Sequence, residues 1–363
     1  MISFNPTEDQ ALVRDTMAQF AREVLRPESH GADEHDRVPD AVVGRGWELG
    51  IVQASIPEAL GGYGDPRSAL SGALVLEELA YGDLAMALHL TTPRLFTLPL
   101  LLKGSEAQQK AWLPRFAAER FTVGTAAVVE PRWDFDAADM QTRAEKQGGD
   151  WVVTGAKCLV PLAGQAEALL VYAATPTGLG AFIVEKGSKG LAIGEREKNM
   201  GVKALDTFPV TLDKVRVPAG GRLGGEDADL QPLIDAQRIA TAALATGVAR
   251  AAFDYARDYA KDRKAFGVAV AQKQAIAFKL ADMATDVDAM RLLAWEAAWR
   301  LDKGLPATRE AALARQYASD RALRITDDAV QVLGGHGYIR EHPVELFLRN
   351  ARGFASFDGL AIV

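Results

Sequence analysis

With 363 residues, 48% of them hydrophobic and 25% charged, and a net charge of -7, the chain is long enough for two or three packed units. Its acidic balance gives no support to a nucleic-acid partner. The opening stretch, Met1 to Gln10, lacks a basic segment followed by an apolar one, and the most apolar long run, Ile239 to Ala249, is interrupted by Thr241, Thr246 and Gly247. Neither a signal peptide nor a membrane span is expected, and the sequence points to the cytoplasm. A single cysteine, Cys158, excludes an intrachain disulfide framework, and the five histidines show no metal-ligand spacing with it. No metal site is expected, and Cys158 reads as a buried, inert thiol.

Thr7-Glu8-Asp9-Gln10 has the form of a capping box. Val13, Met17, Phe20 and Val24 follow at helical spacing, which predicts a first helix that stops at Pro27. Helical patterns recur over Pro39 to Leu49, Pro66 to Tyr81 and Ser105 to Ala118, the last opening on a second box from Ser105 to Gln108. From Phe121 the pattern changes. Short β-rich runs at Phe121 to Val129, Trp151 to Thr154, Ala168 to Ala174 and Ala181 to Glu185 are separated by glycine turns, with Gln147-Gly148-Gly149 as a hairpin. This section closes near Val215-Arg216-Val217-Pro218, after which Gly220, Gly221, Gly224 and Gly225 read as a linker or tight turn. Alanine-rich amphipathic patterns then run over Leu230 to Lys261, Gln272 to Asp302 and Pro306 to Leu333, too long for isolated surface helices, so they should pack as a bundle. The expected fold is mainly α with a β-domain: an N-terminal helical domain over 1–120, a middle β-barrel over 121–219 and a C-terminal four-helix bundle over 226–363.

Several short motifs lie in one order along this frame. They are Pro57-Glu58-Ala59-Leu60-Gly61-Gly62-Tyr63-Gly64, Glu130-Pro131, Gly155-Ala156-Lys157, Asp235-Ala236-Gln237-Arg238 and Arg263-Lys264-Ala265-Phe266-Gly267. Gln274 with Leu280-Ala281-Asp282-Met283, and Gln331-Val332-Leu333-Gly334-Gly335-His336-Gly337-Tyr338, complete the series. Each is weak by itself: Gly334 to Gly337 alone reads as a helix C-cap turn, Arg263 alone as a solvated side chain, and Asp235 with Arg238 as an intrahelical ion pair. In this order and spacing they resemble the acyl-CoA dehydrogenase family.

That resemblance implies an FAD enzyme that oxidises the Cα–Cβ bond of an acyl-CoA thioester, a carboxylate removing the α-proton while the β-hydride passes to the flavin. It also implies an oligomer, because the family's FAD reaches from one subunit's β-domain to its neighbour's bundle. Arg263, Phe266, Gln274, Gln331, Gly334 and Gly335 match the positions that hold the neighbour's dinucleotide. A guanidinium grips phosphate oxygens bidentately, and glycines let backbone approach a diphosphate. Asp235 and Arg238 match residues that contact the acyl-CoA. An electron-transferring flavoprotein is the implied electron acceptor. Arg349 and Arg352 read as braces for helices or carboxylates.

The chain departs from the family pattern on the side facing the flavin ring. Where the family has Thr-Glu-Pro then Gly-Ser-Asp, this chain has Val129-Glu130-Pro131 then Asp134-Phe135-Asp136, losing a hydroxyl and gaining an aromatic ring in the ligand's path. In place of Trp-Ile-Thr stand Cys158, Leu159 and Val160, so that only backbone amides remain there as flavin donors. The Glu-Gly-Thr triplet that carries the catalytic base becomes Asp358-Gly359-Leu360, with Asp358 as the base and Gly359 beside the substrate. Gln237, at the alternative base position, is an amide and takes no proton. Three readings follow: a homo-oligomeric dehydrogenase using Asp358, a subunit that supports FAD in a paralogous partner, and a nitroalkane oxidase-like flavin oxidase of the same fold.

Overall fold

The computed structural model describes residues 5–363. Its first helices are α1 (Glu8–Phe20), α2 (Arg26–Glu34), α3 (Asp40–Glu48), α4 (Ala69–Gly82), α5 (Leu84–Thr91), α6 (Arg94–Lys103) and α7 (Glu106–Phe116). Strands β1 (Gly124–Ala127), β2 (Arg143–Gln147), β3 (Asp150–Pro161), β4 (Ala168–Thr175), β5 (Gly178–Glu185), β6 (Leu191–Ile193) and β7 (Thr207–Val217) follow. The chain continues through α8 (Gln231–Asp262), a small hairpin of β8 (Lys264–Ala265) and β9 (Val268–Ala269), α9 (Gln274–Asp302), α10 (Thr308–Leu333) and α11 (Val344–Ala351). No single helix among the described residues is long and apolar enough to cross a membrane.

Both capping boxes form. The Thr7 hydroxyl accepts from the Gln10 amide at 3.3 Å while Gln10 Oε1 accepts from Thr7 N at 3.0 Å, and Ser105 and Gln108 repeat the exchange at α7. Pro27 does not end the first helical stretch. The chain passes through a π turn at Ala21–Leu25 and Pro27 lies in the first turn of α2, so the helical backbone continues through it. The pair α5 and α6 carries no periodic signal because nearly every residue in it is buried.

The strands form one mixed sheet, ordered β1-β4-β2-β3-β7-β6 with β5 also on β4. The hairpin at Gly148-Gly149 joins β2 to β3, with Gln147 opposite Asp150 and Gly148 at φ +66°. β3 runs well past the expected Thr154. Gly155 adopts φ +156°, and a Cβ there would lie 2.5 Å from the Thr142 hydroxyl, so glycine lets the strand continue close to the loop before β2. β2, Arg143–Gln147, went unseen because its polar residues lack alternation. Trp151, Val153, Phe182 and Val215 build a core inside the sheet, separate from the large helical core.

α8 is the axis of the helical part. Its residues from Leu233 to Ala252 are almost all buried against α4, α9 and α10. At Gly247 a Cβ would lie 2.3 Å from the Glu77 carbonyl oxygen, so the α4 and α8 backbones touch only because that position is glycine.

Candidate functional site

At the end of β1 the chain turns over a buried ion pair. Lys157 Nζ donates to the Val128 carbonyl at 2.9 Å and lies 3.2 Å from Glu130, whose carboxylate accepts from the amides of Thr142 (2.6 Å) and Gln141 (2.7 Å). Burial pulls the Lys157 ammonium down to about 8, with the Glu130 charge opposing the fall. Burial alone would raise the Glu130 carboxyl, but Lys157 and the two amides bring it below its ordinary value.

The adjoining stretch of β3 is already satisfied internally. The Cys158 amide donates to the Val129 carbonyl at 3.0 Å, and the Leu159 amide donates to the Glu197 carboxylate at 3.2 and 3.1 Å, with Leu159 held at φ +52°. Val160 is buried, and β3 is paired with β7 there, opposite Phe208. Cys158 is half-buried, and its thiol is pushed up to about 11, first by burial and then by Glu197, so it stays protonated near neutral pH.

Asp358 stands across from this strand end. Its two oxygens accept from Arg315 Nε (2.9 Å) and Nη2 (3.1 Å), and Arg315 Nη2 also donates to the Ala355 carbonyl at 3.2 Å. Gly359 adopts φ +69°, and a Cβ there would lie 2.5 Å from Val128 Cβ, which seats the turn against β1. Asp358, Val129, Phe135, Arg238 and Arg315 line a cavity of ≈ 270 Å³. A second cavity of ≈ 400 Å³ shares Asp136 and Arg238 with it and reaches Gln231 and Thr308.

Asp235 and Arg238 do not pair with each other. Asp235 is buried and accepts from Gln231 Nε2 and the Thr308 hydroxyl, both at 2.8 Å, which ties α8 to the start of α10. Arg238 has only Asp136 near it, at 3.9 Å, and therefore presents an almost unpaired guanidinium to both cavities. Gln237 is buried and donates to the Tyr172 hydroxyl at 3.5 Å. Arg349 braces α11, holding Asp33 and Glu345 bidentately.

The remaining expected residues gather at the far end of α8. Tyr259, one turn before Arg263, shares a hydrogen bond of 2.9 Å with His336 and so fastens the Gly334–Tyr338 turn to the helix end. Gly334 adopts φ +57°, and nothing lies within 4 Å of a Cβ built on it or on Gly335. Arg263, Gln274 and Gln331 are exposed, and Phe266 is 94% exposed at φ +54°. No hydrogen bond or ion pair engages the Arg263 side chain among the described residues. Twenty-five residues at about 1.5 Å each put Arg263 about 37 Å along α8 from Arg238.

Family models for the acyl-CoA dehydrogenase N-terminal, middle and C-terminal domains match residues 7–120, 125–215 and 228–361. The chain belongs to the acyl-CoA dehydrogenase family. It is 35% identical over 362 residues to the mitochondrial short-chain specific acyl-CoA dehydrogenase of Bos taurus, covering 97% of this chain and 87% of that protein. The butyryl-CoA dehydrogenase structure from Megasphaera elsdenii superposes with a TM-score of 0.88 at 34% identity, covering 99% of this chain and 96% of that one. A glutaryl-CoA dehydrogenase from Mycobacterium smegmatis in complex with FADH2 gives 0.86 at 25% identity, covering 98% and 92%.

Within this acyl-CoA dehydrogenase frame the two ends of α8 fit a dinucleotide unequally. Arg263 and the open glycines suit phosphate oxygens, because an unpaired guanidinium and uncovered backbone are free to bond them. At the strand end, the Cys158 and Leu159 amides, expected to remain as donors, are committed within the chain. Arg315 and Glu197 were missed by sequence reasoning. Each lies far from its partner in the chain and in no motif, so no local signal marks it.

Proposed function

We propose that this chain is an FAD-dependent acyl-CoA dehydrogenase, with Asp358 as the base that takes the α-proton of an acyl-CoA thioester. FAD, when bound, supplies the acceptor for the β-hydride. The observation that carries this reading is the shared cavity. Asp358 opens onto it together with Val129 at the strand end and the almost unpaired Arg238, so a carboxylate and an anion-binding guanidinium face one space. For the thioester to react, the Asp358 carboxylate must turn from Arg315 toward the α-carbon. Arg238 and the second cavity suit the phosphate-bearing portion of CoA.

The length of α8 supports an oligomer. An FAD whose ring meets the thioester in the Asp358 cavity, which Arg238 lines, cannot also reach a guanidinium about 37 Å farther along the same helix, so Arg263, Phe266, Gln274, Gln331, Gly334 and Gly335 are read as serving a neighbour's FAD. An electron-transferring flavoprotein is the acceptor that the family resemblance suggests.

The committed amides of Cys158 and Leu159 favour a second reading, in which this chain is one subunit of a heteromer and lends its bundle to a partner's FAD. Purification decides between them. On the first reading the protein, isolated alone, is yellow, and an acyl-CoA bleaches its flavin absorption in the absence of oxygen. A colourless protein that gains flavin absorption only when co-expressed with a second dehydrogenase chain would establish the heteromer instead. Peroxide formed from a nitroalkane, with no response to any acyl-CoA, would assign the chain to the oxidases.

A further inference from the structure

Leu360, Ala361, Ile362 and Val363 are between 0% and 2% exposed and belong to the large helical core. The Thr241 hydroxyl of α8 donates to the Phe357 carbonyl at 3.1 Å, which fixes where this run enters the core. At its far end Arg67 Nη2 donates to the Val363 carbonyl at 2.8 Å, and a Cβ on Gly72 of α4 would lie 3.1 Å from Val363, so no slack remains there.

The geometry of the reaction assigns a meaning to this filling. A thioester whose α-carbon lies beside Asp358 must leave its large polar CoA portion on the open side, toward Arg238 and the second cavity. Its acyl tail then points the other way, into the core, where the side chains of residues 360–363 already stand. The cavity at Asp358, ≈ 270 Å³, falls below the roughly 300 Å³ at which ligand pockets begin. Resting on the thioester reading above, we infer that residues 360–363 occupy the path of an acyl tail, with Ile362 and Val363 setting its length, so that the chain accepts only short acyl groups.

The test uses reaction products, which bind without turnover: crotonyl-CoA for a short tail and oct-2-enoyl-CoA for a long one. Both are titrated calorimetrically into the protein as purified, together with any partner that co-purifies, and into its Ile362→Ala variant. The wild type should prefer crotonyl-CoA by at least about tenfold, since even one methylene that a pocket cannot seat changes discrimination by roughly that much. Ile362→Ala should gain at least about tenfold for oct-2-enoyl-CoA relative to crotonyl-CoA. Should that variant not fold, Val363→Ala, at the Gly72 contact, carries the same expectation. Equal affinities in the wild type, or no gain in a folded variant, would overturn the length limit while leaving the thioester reading intact. Failure of both products to bind either form would remove that reading and the inference with it.

Discussion

The two ends of α8 are built on opposite terms. At the Arg263 end the side chains of Arg263, Gln274 and Gln331 stand in solvent without hydrogen-bond partners among the described residues, the exposed Phe266 ring meets only the Lys273 ammonium at 5.6 Å, and the backbone at Gly334 and Gly335 is uncovered. At the Arg238 end nearly everything is satisfied from within: Asp358 by Arg315, the Cys158 amide by Val129, the Leu159 amide by Glu197, and Lys157 by Glu130. An exposed, unpaired group gains by meeting a ligand, whereas a paired group must first lose its partner. The contrast leaves the far end open to a ligand without loss of internal bonds, which is what the proposed role toward a neighbour's FAD requires. It also explains why ligand binding at the near end requires rearrangement of Asp358.

The sharpest way to break this comparison is Asp358→Asn. It should lower the anaerobic rate of flavin reduction by an acyl-CoA about a thousandfold, the size of a lost general base, with flavin content unchanged. Normal turnover in that variant would remove Asp358 from the chemistry. Lys157→Met tests how much the near end depends on its buried pair. Leaving the buried Glu130 with only the more distant Arg132, at 3.6 Å, should cost about 3 kcal/mol in unfolding free energy, read from denaturant titration; a loss below about 0.5 kcal/mol would show the pair to be dispensable.

The same lysine predicts a dependence on pH. Its folded-state value of about 8 lies below the ordinary 10.5, so between these values the unfolded chain holds a proton that the folded chain has released. The Lys157 contribution to stability should therefore rise from pH 8 to 10.5, by up to about 3 kcal/mol at about 1.4 kcal/mol per unit. Subtracting the stability curve of Lys157→Met from that of the wild type isolates it, and a flat difference would contradict the assignment. At the far end, Arg263→Ala should leave the unfolding free energy within about 0.5 kcal/mol, because the side chain is exposed and makes no hydrogen bond or ion pair among the described residues. It should nonetheless weaken FAD retention by the assembly about tenfold, as expected for one lost charge-assisted bond. Undiminished flavin content after dialysis would place the dinucleotide elsewhere.

What could be read from the sequence follows from which forces act locally. Thr7 with Gln10 and Ser105 with Gln108 announced their helices because capping involves neighbours three residues apart. α9 and α10 were legible because one stripe of each is buried. The reverse holds for α5 and α6, which are buried all round, and for Pro27, whose tolerance depends on its place in the turn rather than on its identity. At the candidate site, Asp358, Arg238 and Arg263 could be singled out in the sequence because their motifs fall within a few residues. Arg315, Glu197 and the burial of residues 360–363 depend on contacts across tens to hundreds of residues, which periodicity does not record.

One property of α8 outlasts any single residue on it. No proline interrupts its hydrogen-bond ladder between Leu233 and Asp262, and Gly247 lets it lie flush on α4 along its middle. An unbroken helix rises about 1.5 Å per residue, so the spacing between Arg238 and Arg263 is set by residue count alone, and a single inserted or deleted residue between them would alter both their separation and their relative facing.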